Sequence, residues 1–414
     1  MSSEKLEDVA LVTPGTSPRG ELINSIGAGL PFFQGSKEFN ALYPVPERYT
    51  EFPVKVAKKG DVLISVRAPV GEVNIAGEDC SIGRGVMSVR SKDKNQQMFI
   101  YYYLKNLQGK WDSLGSTGSV FENLSTIALN NVEIPIGINR PAIGSILFNL
   151  DQKIATNLAI SQTLENITQA IFRSWFIDFE PVKAKMSGQV LADLNSSTAS
   201  LFPNSMVESD LGLIPKGWEV REIGSLCDTQ LGGTPSRSRE DFWGGEIPWI
   251  NSGKINDFRV MNASECITKL GLEKSATKLL PRGTTVLAIT GATLGQFSRL
   301  EIDSCANQSV VGILGSPDAS NEFIFLSIKQ GIQRLITAQT GGAQQHINKE
   351  DVNAFTIVYP GKPLMEAFTK VVVDLFDEIG VLLKQSICLT EVRDSLIPRL
   401  ISGELQIPKG LVSS

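Results

Sequence analysis

Catalytic chemistry usually announces itself as histidine, cysteine and carboxylate at fixed spacings, and this sequence offers few such sets. His346 is its one histidine. That excludes an HExxH metal site, and no GxSxG turn accompanies it for nucleophilic catalysis. The cysteines, Cys80, Cys227, Cys266, Cys305 and Cys388, are odd in number and scattered, with no CxxC pair. They offer neither a disulfide framework nor a zinc site, and are expected as small apolar residues in a reducing compartment. A GxxxxGK[ST] phosphate loop is absent, so ATP hydrolysis is not expected, and no NPPY or DPPY tetrapeptide of an amino-methyltransferase occurs. Neighbouring carboxylates such as Glu240 and Asp241, or Asp178 and Glu180, read as solvated loop residues. What remains is hydrogen bonding by arginine, asparagine and glutamine on loops, and that chemistry needs a scaffold to aim it.

The scaffold is duplicated. At an offset of 217, Leu6 falls on Ile223, Gly15 on Gly232, Pro18 on Pro235, Pro31 on Pro248 and Phe32 on Trp249. With small insertions the register continues, until Ile154, Ser161, Leu164 and Ile171 fall on Ile379, Ser386, Leu389 and Leu396 at an offset of 225. A period this long means two whole domains in tandem, not a solenoid. Residues 1–139 and 218–361 are rich in Gly, Pro, Thr and β-branched residues in short runs such as GDVLISV (60–66) and TTVLAIT (284–290). They predict mostly β structure with a helix or two, for example QMFIYYYLKNL (97–107) and NEFIFLSIKQGIQRLI (321–336). Residues 140–180 and 362–405 change texture. Leu147, Leu150, Ile154, Leu158, Leu164 and Ile171 recur at helical spacing, as do Phe368, Val372, Leu375, Ile379, Leu382, Leu389, Val392, Leu396 and Leu400. Pro141 and Pro363 open these two long helices and Gly403 closes the second. Packed together as an antiparallel coiled coil they would carry Asn157, Ser161 and Ser386 on the seam, polar residues that fix register at some loss of stability. Residues 181–217, rich in Ser, Asn and Gly, read as a linker, and 406–414 as a tail. The expected class is α+β, with two β-rich domains separated by two long coiled-coil helices.

The chain has 414 residues, 42% hydrophobic and 20% charged, which is the texture of a globular protein with two to four domains at about 100–200 residues each. No apolar run approaches the ~20 residues a bilayer needs, and MSSEKLEDVA has no apolar leader, so a cytoplasmic protein without membrane contact is expected. The net charge of -5 argues mildly against nucleic acid, although a chain-wide average can conceal local basic patches. Two divergent heads on a rigid spacer suit a ligand with two different sites at a set distance. Duplex DNA is the commonest such ligand.

Particular segments carry a family resemblance. LGLIPKGWEVREIGSL (211–226), GGTPS (232–236), GEIPWINSGKI (245–255), TGGAQQHIN (340–348) and SLIPRLISGEL (395–405) resemble the specificity subunit of a type I restriction-modification system. The first half is similar through GTSP (15–18), LPFFQG (30–35), GSTGSVFENLS (115–125) and LDQKIATNLAISQTLENITQAIFRSWF (150–176), but it lacks the IPxGW lead-in, so a short first strand is expected. The resemblance spans nearly the whole chain. It implies target recognition domain 1 at 1–139, spacer helix 1 at 140–180, target recognition domain 2 at 218–361 and spacer helix 2 at 362–405. It implies a non-catalytic subunit, each recognition domain reading one half of a bipartite, asymmetric site in double-stranded DNA, the helices setting the gap. It also implies two modification subunits that methylate adenine with S-adenosylmethionine, and restriction subunits that use ATP and Mg; this chain itself would bind no cofactor. A stand-alone DNA-modifying enzyme would need the catalytic motifs that are missing. A protein-binding adaptor is the other alternative.

Base reading calls for side chains with two hydrogen-bonding groups on exposed loops. Ser116, Thr117, Ser119 and Asn123 in one half, and Thr340, Gln344, Gln345, His346 and Asn348 in the other, lie on equivalent glycine-containing loops, where Phe121 could wedge against a base or fold under. Gln34 and Lys37, and Asn251 and Lys254, follow the PFF and PWI strands. Arg67, Arg84, Arg237 and Arg239 are candidate phosphate contacts.

Overall fold

The computed structural model describes residues 2–111, 123–189, 194–338 and 347–407. They form two compact units. The first joins Met1–Leu158 to Gln385–Ser414, and the second is Ala159–Lys384. The division falls inside both long helices, Arg140–Phe176 and Lys362–Ile401.

In the first unit a four-stranded antiparallel sheet runs in the order Ala10–Pro14, Val86–Ser91, Val62–Ser65, Val73–Ile75. A second sheet, Tyr49–Thr50, Leu30–Phe33, Cys80–Ile82 and Val56–Ala57, contains one parallel pairing, Leu30–Phe33 with Cys80–Ile82. The first strand is short, Ser3–Lys5, and pairs with Glu133–Pro135. Gln97–Asn106 is helical and buries Phe99, Ile100, Tyr102 and Leu104. Their core takes in Leu147 from the first long helix and Ile397, Leu400 and Ile401 from the second. Within this unit the long helices are antiparallel: Asn157 Nδ2 donates to Gln385 Oε1 at 2.8 Å, while Asp151 pairs with Arg393.

The second unit repeats the pattern. Asp228–Leu231, Val310–Leu314, Thr285–Ala288 and Phe297–Arg299 form the antiparallel sheet in the same relative order. Glu265–Ile267, Trp243–Ile250 and Cys305–Ala306 form the second sheet, again with a parallel pairing. Helix Asn321–Ala338 lies over the core. The connecting segment has elements of its own: helices Glu180–Met186 and Ser196–Leu201, and the hairpin Met206–Ser209/Gly212–Pro215. Phe202, Ile214 and Trp218 anchor it in the core. Phe202 and Trp218 join an aromatic cluster with Trp175, Phe176, Phe323 and Phe368, in which Phe176 meets Phe368 edge-on at 4.9 Å and Trp175 meets Phe202 at 5.3 Å.

The long helices start one residue before Pro141 and Pro363, where a missing N–H costs nothing. Asn139 Oδ1 accepts from Ala142 N–H at the first start, and Gly403, at φ +70°, follows the second helix. The inner face of the first helix differs from the expected apolar stripe. Leu158 is 42% exposed, while Asn157, expected on the seam, is fully buried. The helix buries Asp151, Ser161, Glu165 and Thr168 at heptad-like spacing, so its middle is a polar seam. On the second helix Val392 is exposed and Arg393 turns inward to Asp151. Ser161 and Ser386 are buried as expected. Among the described residues, no helix is long and apolar enough to cross a membrane.

Candidate nucleic-acid interface

Both units build the same backbone frame at one end of the antiparallel sheet. After Val62–Ser65, Val66 N–H donates to Gly85 O at 2.9 Å, and Val66 O accepts from Leu124 N–H at 2.8 Å. After Thr285–Ala288, Ile289 N–H donates to Ser309 O at 2.9 Å, and Ile289 O accepts from Ile347 N–H at 3.1 Å. Leu124 and Ile347 are buried and plug the frame. Each is followed by a capped turn of helix, with Ser125 Oγ accepting from Ala128 N–H and Asn348 Oδ1 from Asp351 N–H. On the other side of the frame a hairpin glycine receives a large side chain. A Cβ on Gly71 would collide with the Trp111 indole, and one on Gly295 with the Ile336 side chain; both glycines have φ near +80°. Trp111 and Leu124 in the first unit, and Ile336 and Ile347 in the second, therefore lie beside the same hairpin. Ser116, Thr117, Ser119, Phe121, Thr340, Gln344, Gln345 and His346 lie outside the described residues.

Around the frame of the first unit the structure gathers four sequence-predicted residues. Arg67 and Asn123 form an antiparallel bridge. Arg84 donates its backbone N–H to Ser17 Oγ at 3.3 Å, and its neighbour Gly85 backs onto the carbonyl of Gln34. Gln34 is oriented by Arg48, whose Nη1 donates to Gln34 Oε1 at 3.1 Å while Nη2 holds buried Glu38 at 2.6 Å. Arg67 and Arg84 are exposed, and among the described residues their guanidinium groups have no ion pair or hydrogen bond. Lys37 does have one: its ammonium meets Glu47 at 2.8 Å, which raises its pKa and lowers that of Glu47.

The second unit fills the same frame with different groups. Thr290 stands where Arg67 does and Gln308 where Arg84 does; Gln308 Oε1 accepts from Thr234 Oγ1. Asn251 Oδ1 accepts from Lys254 N–H at 3.2 Å, and Lys254 Nζ pairs with Asp257 at 2.8 Å. Arg237 and Arg239 are given to carboxylates. Arg237 makes two bonds of 2.7 Å to Glu265 and stacks 3.6 Å above the Trp243 ring, a pairing that raises the pKa of the guanidinium and lowers that of the acid. Arg239 grips Asp241 at 2.8 and 2.6 Å over Phe242. Sequence reasoning passed over Arg48, Trp243, Thr290 and Gln308. The 224-residue correspondence of Arg84 with Gln308 was the available signal for the last. Among the described residues no cluster of three metal-ligating side chains occurs.

Comparison with known proteins matches residues 3–166 and 215–374 to the type I restriction modification DNA specificity domain. The HindI specificity subunit of Haemophilus influenzae is 30% identical over 327 residues, covering 69% of this chain and 70% of that one. The MjaIX specificity subunit of Methanocaldococcus jannaschii is 25% identical and covers 98% of this chain and 93% of that protein. A crystal structure of the type I S subunit from M. genitalium shares the fold, with a TM-score of 0.62 over 96% of this chain and 95% of that one at 16% identity. With two matches in tandem covering both β-rich domains, the chain belongs to the type I restriction-modification specificity family.

Proposed function

We propose that the chain is the subunit that gives a type I restriction-modification complex its DNA sequence, each domain reading one half of a bipartite, asymmetric site. The observation that carries this is the repeated frame with unlike contents. Where one unit has Arg67 and Arg84 the other has Thr290 and Gln308, so the two domains meet DNA with different groups, as two unlike half-sites would require. In this reading the chain is non-catalytic and cytoplasmic. The long helices set the gap and dock two modification subunits, which supply S-adenosylmethionine and methylate adenine, and restriction subunits bring ATP and Mg. Arg67 and Arg84 are phosphate contacts, and loops 115–125 and 340–348 carry the base-reading groups.

The experiment exchanges residues 218–361 for the matching domain of a relative and maps methylated adenines in a host that expresses the modification subunit. One half-site should change and the other should stay. Change in both would mean that the domains recognise DNA jointly, and unchanged methylation would place specificity outside this domain.

A further inference from the structure

The second unit buries a set of charges that recognition of DNA does not use. Glu165, on the first long helix, is 1% exposed, and so are the side chains of Arg259 and Glu301 from the recognition domain. Arg259 Nη2 meets Glu165 Oε2 at 2.5 Å and its Nε lies 3.7 Å from Glu301 Oε1. Glu165 also takes Lys329, from the helix over the core. Glu301 is held in turn by Arg299 at 2.6 Å and by Arg282 at 3.3 Å, and Arg282 reaches Asp377 of the second long helix at 3.0 Å. The Arg259 guanidinium lies 4.5 Å over Phe325 and 5.6 Å over Phe376. Gly380 closes the set, since a Cβ there would sit 2.9 Å from Glu301 Oε2.

These groups come from the recognition domain and from both long helices, and with Glu322, which meets Arg299 at 3.1 Å, four carboxylates face four cations. A buried ion pair adds little net stability compared with apolar side chains of the same size, because desolvation offsets attraction, but it tolerates little misalignment. A displacement of the domain by one helical residue, about 1.5 Å along the axis and a third of a turn around it, would leave Glu165 facing no cation. Apolar contacts such as Phe325 on Phe376 would yield to the same slip, since dispersion is not directional.

We infer that Glu165 and Arg259 are positioning residues: the buried pair fixes the pose of the second recognition domain on the helices and so enforces a single gap between half-sites. The inference rests on the reading of the helices as the ruler. Replacing the pair by apolar residues, Glu165→Leu with Arg259→Met, removes the buried charge pair. Glu301 stays paired with Arg299 and Arg282, and Lys329, 30% exposed, reaches water.

The test reconstitutes the double variant with its modification subunit and maps methylation genome-wide, beside the wild-type complex. The melting temperature should stay close to that of wild type. Both half-site sequences should be unchanged, and modification at sites one base pair longer or shorter should rise about tenfold relative to the main spacing. Glu165→Gln, which keeps the shape but leaves Arg259 short of a charge, should show the same spread with a lower melting temperature. A double variant that melts normally and modifies the original spacing alone would overturn the inference. So would one that fails to fold, because the pair would then supply stability and not pose. A wild-type complex that modifies no bipartite site would overturn the reading beneath it, and the inference with it.

Discussion

Arginines of one chain differ less in kind than in what already occupies them. Arg237 and Arg239 each satisfy a carboxylate and cover an aromatic face, so little of their charge is left for DNA. Arg67 and Arg84 are exposed at the frame with no such partner among the described residues. Replacing both by alanine should weaken DNA binding by the assembled complex on all sequences alike and reduce its log–log salt slope by about 0.9 for each phosphate no longer neutralised. Titration at several salt concentrations measures this, and the methylated sequence should not change. All four arginines looked equivalent in the sequence. Asp241, two residues from Arg239, was a visible partner, but Glu265 is brought to Arg237 only by sheet pairing across 28 residues. Asn348 was singled out for bases, and the structure gives its side-chain oxygen to a helix start.

At the scale of elements, periodicity located the two long helices to within a residue at each start, because proline and a seven-residue pattern are local signals. It put Asn157, Ser161 and Ser386 on the seam, where they are buried, but it also put Leu158 inside, and that side chain is 42% exposed. The burial of the charged Asp151 and Glu165 is invisible to such a count, since their partners come from elsewhere in the chain. Asp151 shows the energetics. It is buried between the Tyr102 hydroxyl, which donates at 2.6 Å, and the Arg393 guanidinium. Burial first, and then the adjacent carboxylate, push the Tyr102 phenol well above its ordinary pKa, so it remains a donor. Asp151→Ala should cost about 2 to 3 kcal/mol, because it leaves the buried Tyr102 hydroxyl without an acceptor and Arg393 with Asp394 alone. Asp151→Asn should cost less, since it still accepts from Tyr102. Thermal denaturation of the two variants separates these outcomes.

For the whole molecule, the internal repeat makes the paired domains legible in the sequence, because Gly and Pro positions persist in order through both halves. The division into compact units was not legible, since the first unit is completed by Gln385–Ser414, which follow the whole of the second. Ile397, Leu400 and Ile401 fill the core of the first unit. A chain cut after Lys384 should lose about 5 kcal/mol or more from that unit, at ~1.5–3 kcal/mol for each large apolar side chain, while the second unit keeps all its own residues. Scanning calorimetry should show one transition weakened or abolished and the other retained.

That discontinuity also orders events on the ribosome. The second unit is one continuous stretch and can close as soon as Lys384 has emerged. The first unit, although its sheets are made earliest, waits for a helix that lies more than two hundred residues downstream. At about 5–20 residues per second that wait lasts roughly 10 to 50 s. Through it, Leu147 and the apolar side of Gln97–Asn106 stand without their cover, so the half made first is the half with the greater need of a chaperone.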